Sequence, residues 1–255
     1  MEPVDWDVDA MIAITSTAAN GTMEEAETAT IASVTNGGRT VNIHTPLLYD
    51  HLGQTLSFAG GHSAEFRADV MVLGRNVLLQ GNVMSRREQH GFHMMLHSRD
   101  ATHRSIADRS QGDSLTARIE DIEVAYAGQM GRLGRYPIHF HMIGATHTSY
   151  VRRTSIHHTY NRAIAIHGVH YLRVQDNVAF ESKGHTYFVE DGVETKNVIT
   201  GNIGAQTREN FVGLNSDATP ATFWYVNGDN YVERNIAAGS SHCAPPPASE
   251  QHARS

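Results

Sequence analysis

The chain has 255 residues, a formal net charge of -7 and 40% hydrophobic residues, which suits one large or two small domains with a continuous core. The mild acidity argues against a nucleic-acid partner, which requires a basic surface, and no apolar run reaches the roughly 18 residues of a transmembrane segment. A single cysteine excludes an internal disulfide framework, and residues 1–6 lack the basic and apolar regions of a signal peptide.

Residues 1–70 are predicted to form a β-hairpin region that leads into the rest of the chain. Residues 10–15 form a short apolar run typical of a strand. Residues 30–34 and 40–44 alternate in polarity and flank an Asn-Gly pair at positions 36 and 37. Asn-Gly between two alternating runs is a strong hairpin signal.

Residues 71–240 are predicted to be the coils of a right-handed parallel β-helix, the pectin-lyase-like solenoid, so the fold class is all-β. A β-branched residue, often preceded by Asn or Ser, recurs at intervals of 22 to 33 residues, as expected for one coil per repeat. The copies are Glu123-Val124, Ser155-Ile156, Asn177-Val178, Asn202-Ile203 and Asn235-Ile236, with Asn76-Val77 as an earlier one. Residues 241–255 are predicted to be a disordered Pro-rich tail, because proline cannot donate to a strand ladder.

Each coil is predicted to carry a second strand, at residues 138–141, 164–167, 187–190 and 212–215. Side chains alternate between the two faces of a strand. The first and third residues of these quartets are mostly large and apolar, so the second and fourth are expected to point outward. The fourth residues form a column of His141, His167, Glu190 and Asn215. The second residues form a column of His139, Ala165, Phe188 and Gly213.

The column of fourth residues is the candidate site. Neighbouring coils lie about 4.8 Å apart, so side chains on consecutive coils can share one ligand. His141, His167 and Glu190 are predicted to hold one divalent metal ion, because zinc, for instance, takes three such ligands and leaves a position open for water. The alternative is a hydrogen-bonded ladder of stacked polar side chains with a purely structural role.

Two strings around this site are distinctive. Residues 131–141 read Gly-Arg-Leu-Gly-Arg-Tyr-Pro-Ile-His-Phe-His, and residues 184–194 read Gly-His-Thr-Tyr-Phe-Val-Glu-Asp-Gly-Val-Glu. They resemble the β-helix region shared by the cell-migration-inducing hyaluronidases, transmembrane protein 2 and the fibrocystins, most densely over residues 118–204. The resemblance implies an extracellular or cell-surface ectodomain. Some members of that family are described as degrading hyaluronan, and others have no settled activity.

The resemblance leads to two functional hypotheses. The first is an enzyme, either a glycosidase or a lyase, that binds and cleaves hyaluronan-like acidic polysaccharide. Glu190 and Asp191 are then the acid and base candidates for hydrolysis, and His139 or His185 would move protons in a metal-assisted route. The second hypothesis is a non-catalytic ectodomain module that binds glycan or protein.

Four further residues are predicted to bind the substrate. Arg132 and Arg135 lie in the loop before the first quartet, and arginine pairs bidentately with carboxylates such as those of uronic acids. Phe188 is expected to stack on a sugar face. Asn215 is expected to extend the polar column to a fourth coil.

Overall fold

The computed structural model describes residues 2–18, 22–98, 115–212 and 215–242. The chain divides into two compact units, Met1–Gly74 and Arg75–Ser255. Within these described ranges, no helix is long and apolar enough to cross a membrane. From residue 243 onward, the predicted Pro-rich tail lies outside the described residues.

The first unit is built from antiparallel strands. Its strands are β1 Met11–Ile14, β2 Glu27–Thr35, β3 Thr40–Ile43, β4 Gly53–Ser57, β5 Ser63–Arg67 and β6 Val70–Val72, with short 3-10 helices at Asn36–Gly38 and Ala59–Gly61. One sheet has the order β3-β2-β1-β6, and β4 pairs with β5. The predicted hairpin is confirmed, because Val34 pairs with Val41 across the turn. Gly37 supplies the positive φ that this turn requires.

The second unit contains three parallel sheets. The first sheet holds β7 Val77–Gln80, β10 Ile122–Ala125, β13 Ser155–Thr159, β16 Val178–Ser182, β19 Ile203–Thr207 and β22 Ile236–Ser240. The second sheet holds β8 Met94–His97, β11 Ile138–Ala145, β14 Ile164–His170, β17 Tyr187–Val189 and β20 Phe223–Trp224. The third sheet holds β9 Arg118–Glu120, β12 Tyr150–Arg152, β15 Arg173–Gln175, β18 Val198–Thr200 and β21 Tyr231–Glu233. A short helix, α1, spans Val83–Glu88, and a 3-10 helix spans Asn215–Ala218.

Successive strands along the chain join successive sheets, so the backbone coils around a common interior and the predicted parallel β-helix is confirmed. Apolar side chains from the same position of neighbouring coils stack inside. In the second sheet, Ile138 pairs with Ile164, Ile164 with Tyr187 and Tyr187 with Phe223. The last two rings stack at 4.7 Å. This continuous apolar interior is the main source of stability.

A ladder of asparagine side chains fixes the register between coils. Asn202 Oδ1 accepts from the main-chain N–H and the side-chain Nδ2 of Asn177, at 3.0 and 2.8 Å. Asn202 Nδ2 donates to the Val174 carbonyl and to Asn235 Oδ1, at 2.9 and 3.0 Å. These amides are interior groups at the turn into the first sheet, so they satisfy backbone groups that the strands leave unpaired.

The ladder also corrects the repeat register. Glu123 pairs with Ser155, and Ser155 pairs with Val178 rather than with Asn177. The predicted repeat places Glu123 and Ser155 opposite Asn177. In the structure they lie opposite the next residue, Val178, so the prediction is one residue out of register at these two copies. The reason is that these two copies lack the asparagine that marks the later ones, and Thr154, whose N–H donates to Asn177 Oδ1 at 3.0 Å, lies at the equivalent position.

We expect Asn202→Ala to lower the free energy of unfolding by about 2–4 kcal/mol, because it leaves the buried Asn177 N–H and Val174 carbonyl without partners. Urea denaturation measures the change. Asn76→Ala, at an exposed position outside the ladder, is the matched control and should change stability by less than about 0.5 kcal/mol. Equal effects of the two substitutions would contradict a structural role for the ladder.

Candidate functional site

Four polar side chains stack along the second sheet. His97, His141 and His167 occupy paired positions of β8, β11 and β14, and Glu190 follows β17, where its N–H donates to the Ile166 carbonyl at 3.0 Å. The ring centres of His97 and His141 are 5.2 Å apart, and those of His141 and His167 are 4.8 Å apart. The predicted column of His141, His167 and Glu190 is therefore present, and His97 adds a further imidazole to it.

Asn215, the predicted fourth member, does not belong to the column. β17 pairs with β20, so that Tyr187 lies opposite Phe223. Asn215 instead begins the 3-10 helix before β20, and residues 213–214 lie outside the described part of the chain. The predicted strand at residues 212–215 is absent at its two described ends, since Val212 is 56% exposed outside any strand and Asn215 belongs to the 3-10 helix.

His139 completes a group of three imidazoles. Its ring centre lies 5.0 Å from that of His141 and 6.1 Å from that of His167, and one nitrogen from each ring lies within 4.8 Å of the other two. His139 Nδ1 donates to the Gly134 carbonyl at 3.0 Å. His139 Nε2 is buried without a hydrogen-bond partner among the described residues. Burial lowers the pKa of His139 to about 4, so the ring is neutral, as a metal ligand must be.

The other two imidazoles also have one nitrogen engaged. His141 Nδ1 lies 3.2 Å from His97 Nδ1, and His167 Nε2 lies 2.8 Å from the carboxylate of Asp191. Metal-binding histidines commonly hold the second ring nitrogen in this way, which fixes the tautomer and the ring orientation. The donor set of His139, His141 and His167 thus suits a divalent ion with a preference for imidazole.

Two neighbouring carboxylates flank His167. Glu190 Oε2 lies 3.7 Å from His167 Nδ1 and is buried without a hydrogen-bond partner among the described residues. Burial raises the pKa of Glu190. Both carboxylates reach one ring because the chain turns after β17, where Glu194 Oε1 accepts from the N–H groups of Asp191 and Gly168 at 3.2 and 2.8 Å. The structure places Glu190 beside the three imidazoles, and the group whose potential ligand atoms lie within 4.8 Å of one another contains His139 rather than Glu190. The predicted ligand set of His141, His167 and Glu190 stays a prediction.

The loop that carries the two predicted substrate-binding arginines is anchored to the next coil. Asn161 Nδ2 donates to the carbonyls of Gln129 and Arg132, at 2.9 and 3.0 Å. The side chains of Arg132 and Arg135 are exposed, and a guanidinium nitrogen of Arg135 lies 2.6 Å from His93 Nε2. The same loop contains Gly134, whose carbonyl orients His139. It therefore connects the two arginines to the candidate site.

Phe188 and His185 are both interior. Phe188 is 5% exposed. The guanidinium of Arg162 lies 3.8 Å above its ring, and the His185 ring stacks on it at 5.0 Å. The prediction that Phe188 stacks on a sugar is therefore wrong, since its ring has no open face. His185 is fully buried, and its role in proton transfer stays a prediction.

A buried network of Arg162, Asp217 and Tyr136 packs against the candidate site. Arg162 Nε donates to Asp217 Oδ1 at 3.0 Å, and Arg162 also donates to the Tyr136 hydroxyl at 3.1 Å. The Tyr136 ring lies 4.8 Å from the His139 ring. The network holds Tyr136 against His139 and keeps this imidazole dry.

Sequence reasoning missed His97 and this network. Residues 94–97 read Met-Met-Leu-His, the same apolar pattern ending in histidine as residues 138–141, so His97 carried a usable signal. Arg162 and Asp217 are 55 residues apart in sequence. No local pattern marks them as partners, because the segment between β19 and β20 brings them together.

Comparison with known proteins gives the following relationships. A family model described as the CEMIP β-helix matches residues 109–245. Fibrocystin-L of Mus musculus is 36% identical over 94% of the chain, and the alignment covers 6% of that relative. Cell surface hyaluronidase of Danio rerio is 27% identical over 92% of the chain and 19% of the relative. Cell surface hyaluronidase CEMIP2 of Homo sapiens is 27% identical over 74% of the chain and 15% of the relative. The chain thus spans a small part of these relatives.

Burial lowers the pKa of His185 to about 3, below the value near 6.5 of an unfolded histidine. The unfolded chain therefore binds this proton first, and the folded state loses stability as the pH falls below 6.5. We expect the loss between pH 7 and pH 5 to be smaller by about 2 kcal/mol in His185→Gln than in the wild type. Urea denaturation at both pH values measures it. The exposed His62, changed to Gln, is the control, and an unchanged acid response in His185→Gln would contradict the assignment.

Proposed function

Because the chain belongs to the CEMIP β-helix family, we propose that His139, His141 and His167 hold one divalent metal ion at a site that acts on an acidic polysaccharide of the hyaluronan class. The observation that carries the proposal is the convergence of three imidazoles whose second ring nitrogens are all engaged. The names of the relatives called cell surface hyaluronidase support the polymer class and an extracellular location.

Each group near the three imidazoles has a distinct proposed task. A bound divalent ion would polarise a sugar or uronate oxygen and lower the pKa of its water. Glu190 has a buried carboxylate oxygen without a hydrogen-bond partner, and its proposed task is to move a proton to or from the substrate. Asp191 is half exposed and holds His167. Arg132 and Arg135 are exposed on the anchored loop, where they can pair with uronate carboxylates.

Two reactions remain compatible with this arrangement. In hydrolysis, Glu190 and Asp191 would share the acid and base roles while water replaces the leaving sugar. In elimination, one of the two carboxylates would remove the proton beside the uronate carboxylate, and the bond from the ring to the leaving sugar oxygen would break as that oxygen takes up a proton. The product would contain a carbon–carbon double bond. Absorbance of that unsaturated sugar distinguishes the two reactions.

A second candidate function is a non-catalytic module that binds glycan or protein. The relationship to Fibrocystin-L favours it, because the identity to that relative is 36%, whereas that to the two relatives named as hyaluronidases is 27%. The name Fibrocystin-L states no reaction. This function predicts saturable binding of a ligand without turnover.

We expect the purified chain to take up one equivalent of Zn²⁺ or Co²⁺, and His139→Ala to weaken the affinity by at least about 100-fold because it removes a ligand. His97→Ala removes only the partner of His141 Nδ1 and should weaken it about 10- to 100-fold. His62→Ala, at an exposed position, is the control. Metal analysis after dialysis and the visible spectrum of Co²⁺ give the readout. Uptake that is unchanged in His139→Ala would contradict the assigned site.

We expect Glu190→Gln to abolish cleavage of hyaluronan while the metal content and melting temperature stay near the wild-type values. The reason is that the amide keeps the shape of the side chain but cannot move the proton. Size-exclusion analysis of the polymer measures cleavage. Full activity of Glu190→Gln would exclude this residue as the proton-moving group, and a metal-loaded wild type that binds hyaluronan without cleaving it would favour the binding module.

A further inference from the structure

A cavity of about 140 Å³ opens at the ends of the first-sheet strands. It is lined by Tyr126, His158, Thr159, Tyr160, Glu181, Lys183 and Arg208. None of these residues belongs to the three-histidine group. A volume of this size holds about four or five water molecules, so it suits one small polar group.

A repeated backbone bend creates the cavity. Tyr126, His158 and Glu181 have φ values of 55°, 52° and 55°. They occupy equivalent positions at the ends of β10, β13 and β16 in the first sheet. A left-handed residue here tilts the strand end and turns the side chains out. Lys183 and Arg208 then form a parallel bridge between neighbouring coils two residues further along. The bends thus place like positions of successive coils around one opening.

Within the described residues, the Lys183 ammonium is hydrogen-bonded only to uncharged groups. Lys183 Nζ donates to Gln89 Oε1 at 2.6 Å and lies 4.0 Å from Met130 Sδ, and both groups are uncharged. Glu181 is the acidic residue of the lining, and its two oxygens already face His158 at 3.1 Å and Arg208 at 3.4 Å. In the described part of the chain, no carboxylate forms an ion pair with Lys183. A half-buried ammonium in this position favours an anion from outside.

The lining also contains Tyr126 and Tyr160. Each phenol carries a hydroxyl that can donate a hydrogen bond to an oxygen of an anion. The guanidinium of Arg86 lies 3.8 Å above the Tyr126 ring, so a further positive charge lies beside this phenol. Two phenolic hydroxyls and an ammonium around one small volume form a cradle for the oxygens of an anion.

We propose that this cavity binds one oxyanionic group, a carboxylate or a sulfate, held by Lys183 and the hydroxyls of Tyr126 and Tyr160. The group has two sources, either a substituent of an acidic sugar or a free inorganic anion. The site requires neither the metal nor any residue of the three-histidine group, so it stands apart from the proposed function.

The test is a titration of the full chain with sodium sulfate, glucuronate and glucose, followed by nuclear magnetic resonance in a chloride buffer of fixed ionic strength. We expect saturation with sulfate, glucuronate or both, and no response to glucose. Binding of glucuronate alone identifies the sugar source, and binding of sulfate alone identifies the inorganic source. The proposal is overturned if neither sulfate nor glucuronate saturates the site, or if glucose gives an equal response.

The variants test the charge directly. Lys183→Gln should weaken binding by about tenfold or more, and Lys183→Arg should stay within about threefold of the wild type. Lys196→Gln is the matched control, because Lys196 is the other lysine of the sequence and pairs with Asp229 at the surface. Wild-type binding in Lys183→Gln would refute the assignment.

A second substitution, with the opposite expected effect on affinity, keeps the test valid if Lys183→Gln folds poorly. Glu181→Gln removes the negative charge from the lining and should tighten binding, by about twofold or more, since the lost charge repels the anion. Weaker binding in a folded Glu181→Gln contradicts the proposal. The double variant His141→Ala/His167→Ala should bind the anion normally, which separates this site from failure of the metal site.

Discussion

Parallel stacking in register is the constraint on which the rest of this structure depends. Each coil places a residue about 4.8 Å from its equivalent in the next coil, and the amide ladder of Asn177, Asn202 and Asn235 holds that register through interior hydrogen bonds. A slip by one residue would turn every core side chain outward. The same register that stacks apolar residues inside also stacks His97, His141 and His167 outside.

Stacking alone gives a column, and the loop before β11 converts it into an enclosed site. The Gly134 carbonyl orients His139. Tyr136 packs against the His139 ring, and the Tyr136 hydroxyl accepts a hydrogen bond from Arg162, which is paired with Asp217. Burying these charges without each other would be strongly unfavourable. Stability and the proposed metal site are therefore coupled here, since the network that keeps the loop in place also keeps the His139 imidazole neutral and available.

The sequence allowed the coil architecture and the positions of His141, His167 and Glu190 to be predicted, because alternating polarity assigns each side chain to a face and equal quartets assign the register. It did not predict that His139 would be enclosed, since burial by a loop on the outer face leaves no periodic signal. Asn215 was misplaced because the segment before β20 is long and irregular, and an apolar run within it resembled the expected strand.

The central claim is that His139, His141 and His167 form one metal centre. The most direct measurement is anomalous X-ray diffraction from crystals of the chain grown with Zn²⁺ and recorded at the zinc absorption edge. The account predicts a single strong peak about 2.0–2.1 Å from one nitrogen of each of the three rings. A peak at His157 and His158 instead, or no peak near His139 at saturating Zn²⁺, would contradict it.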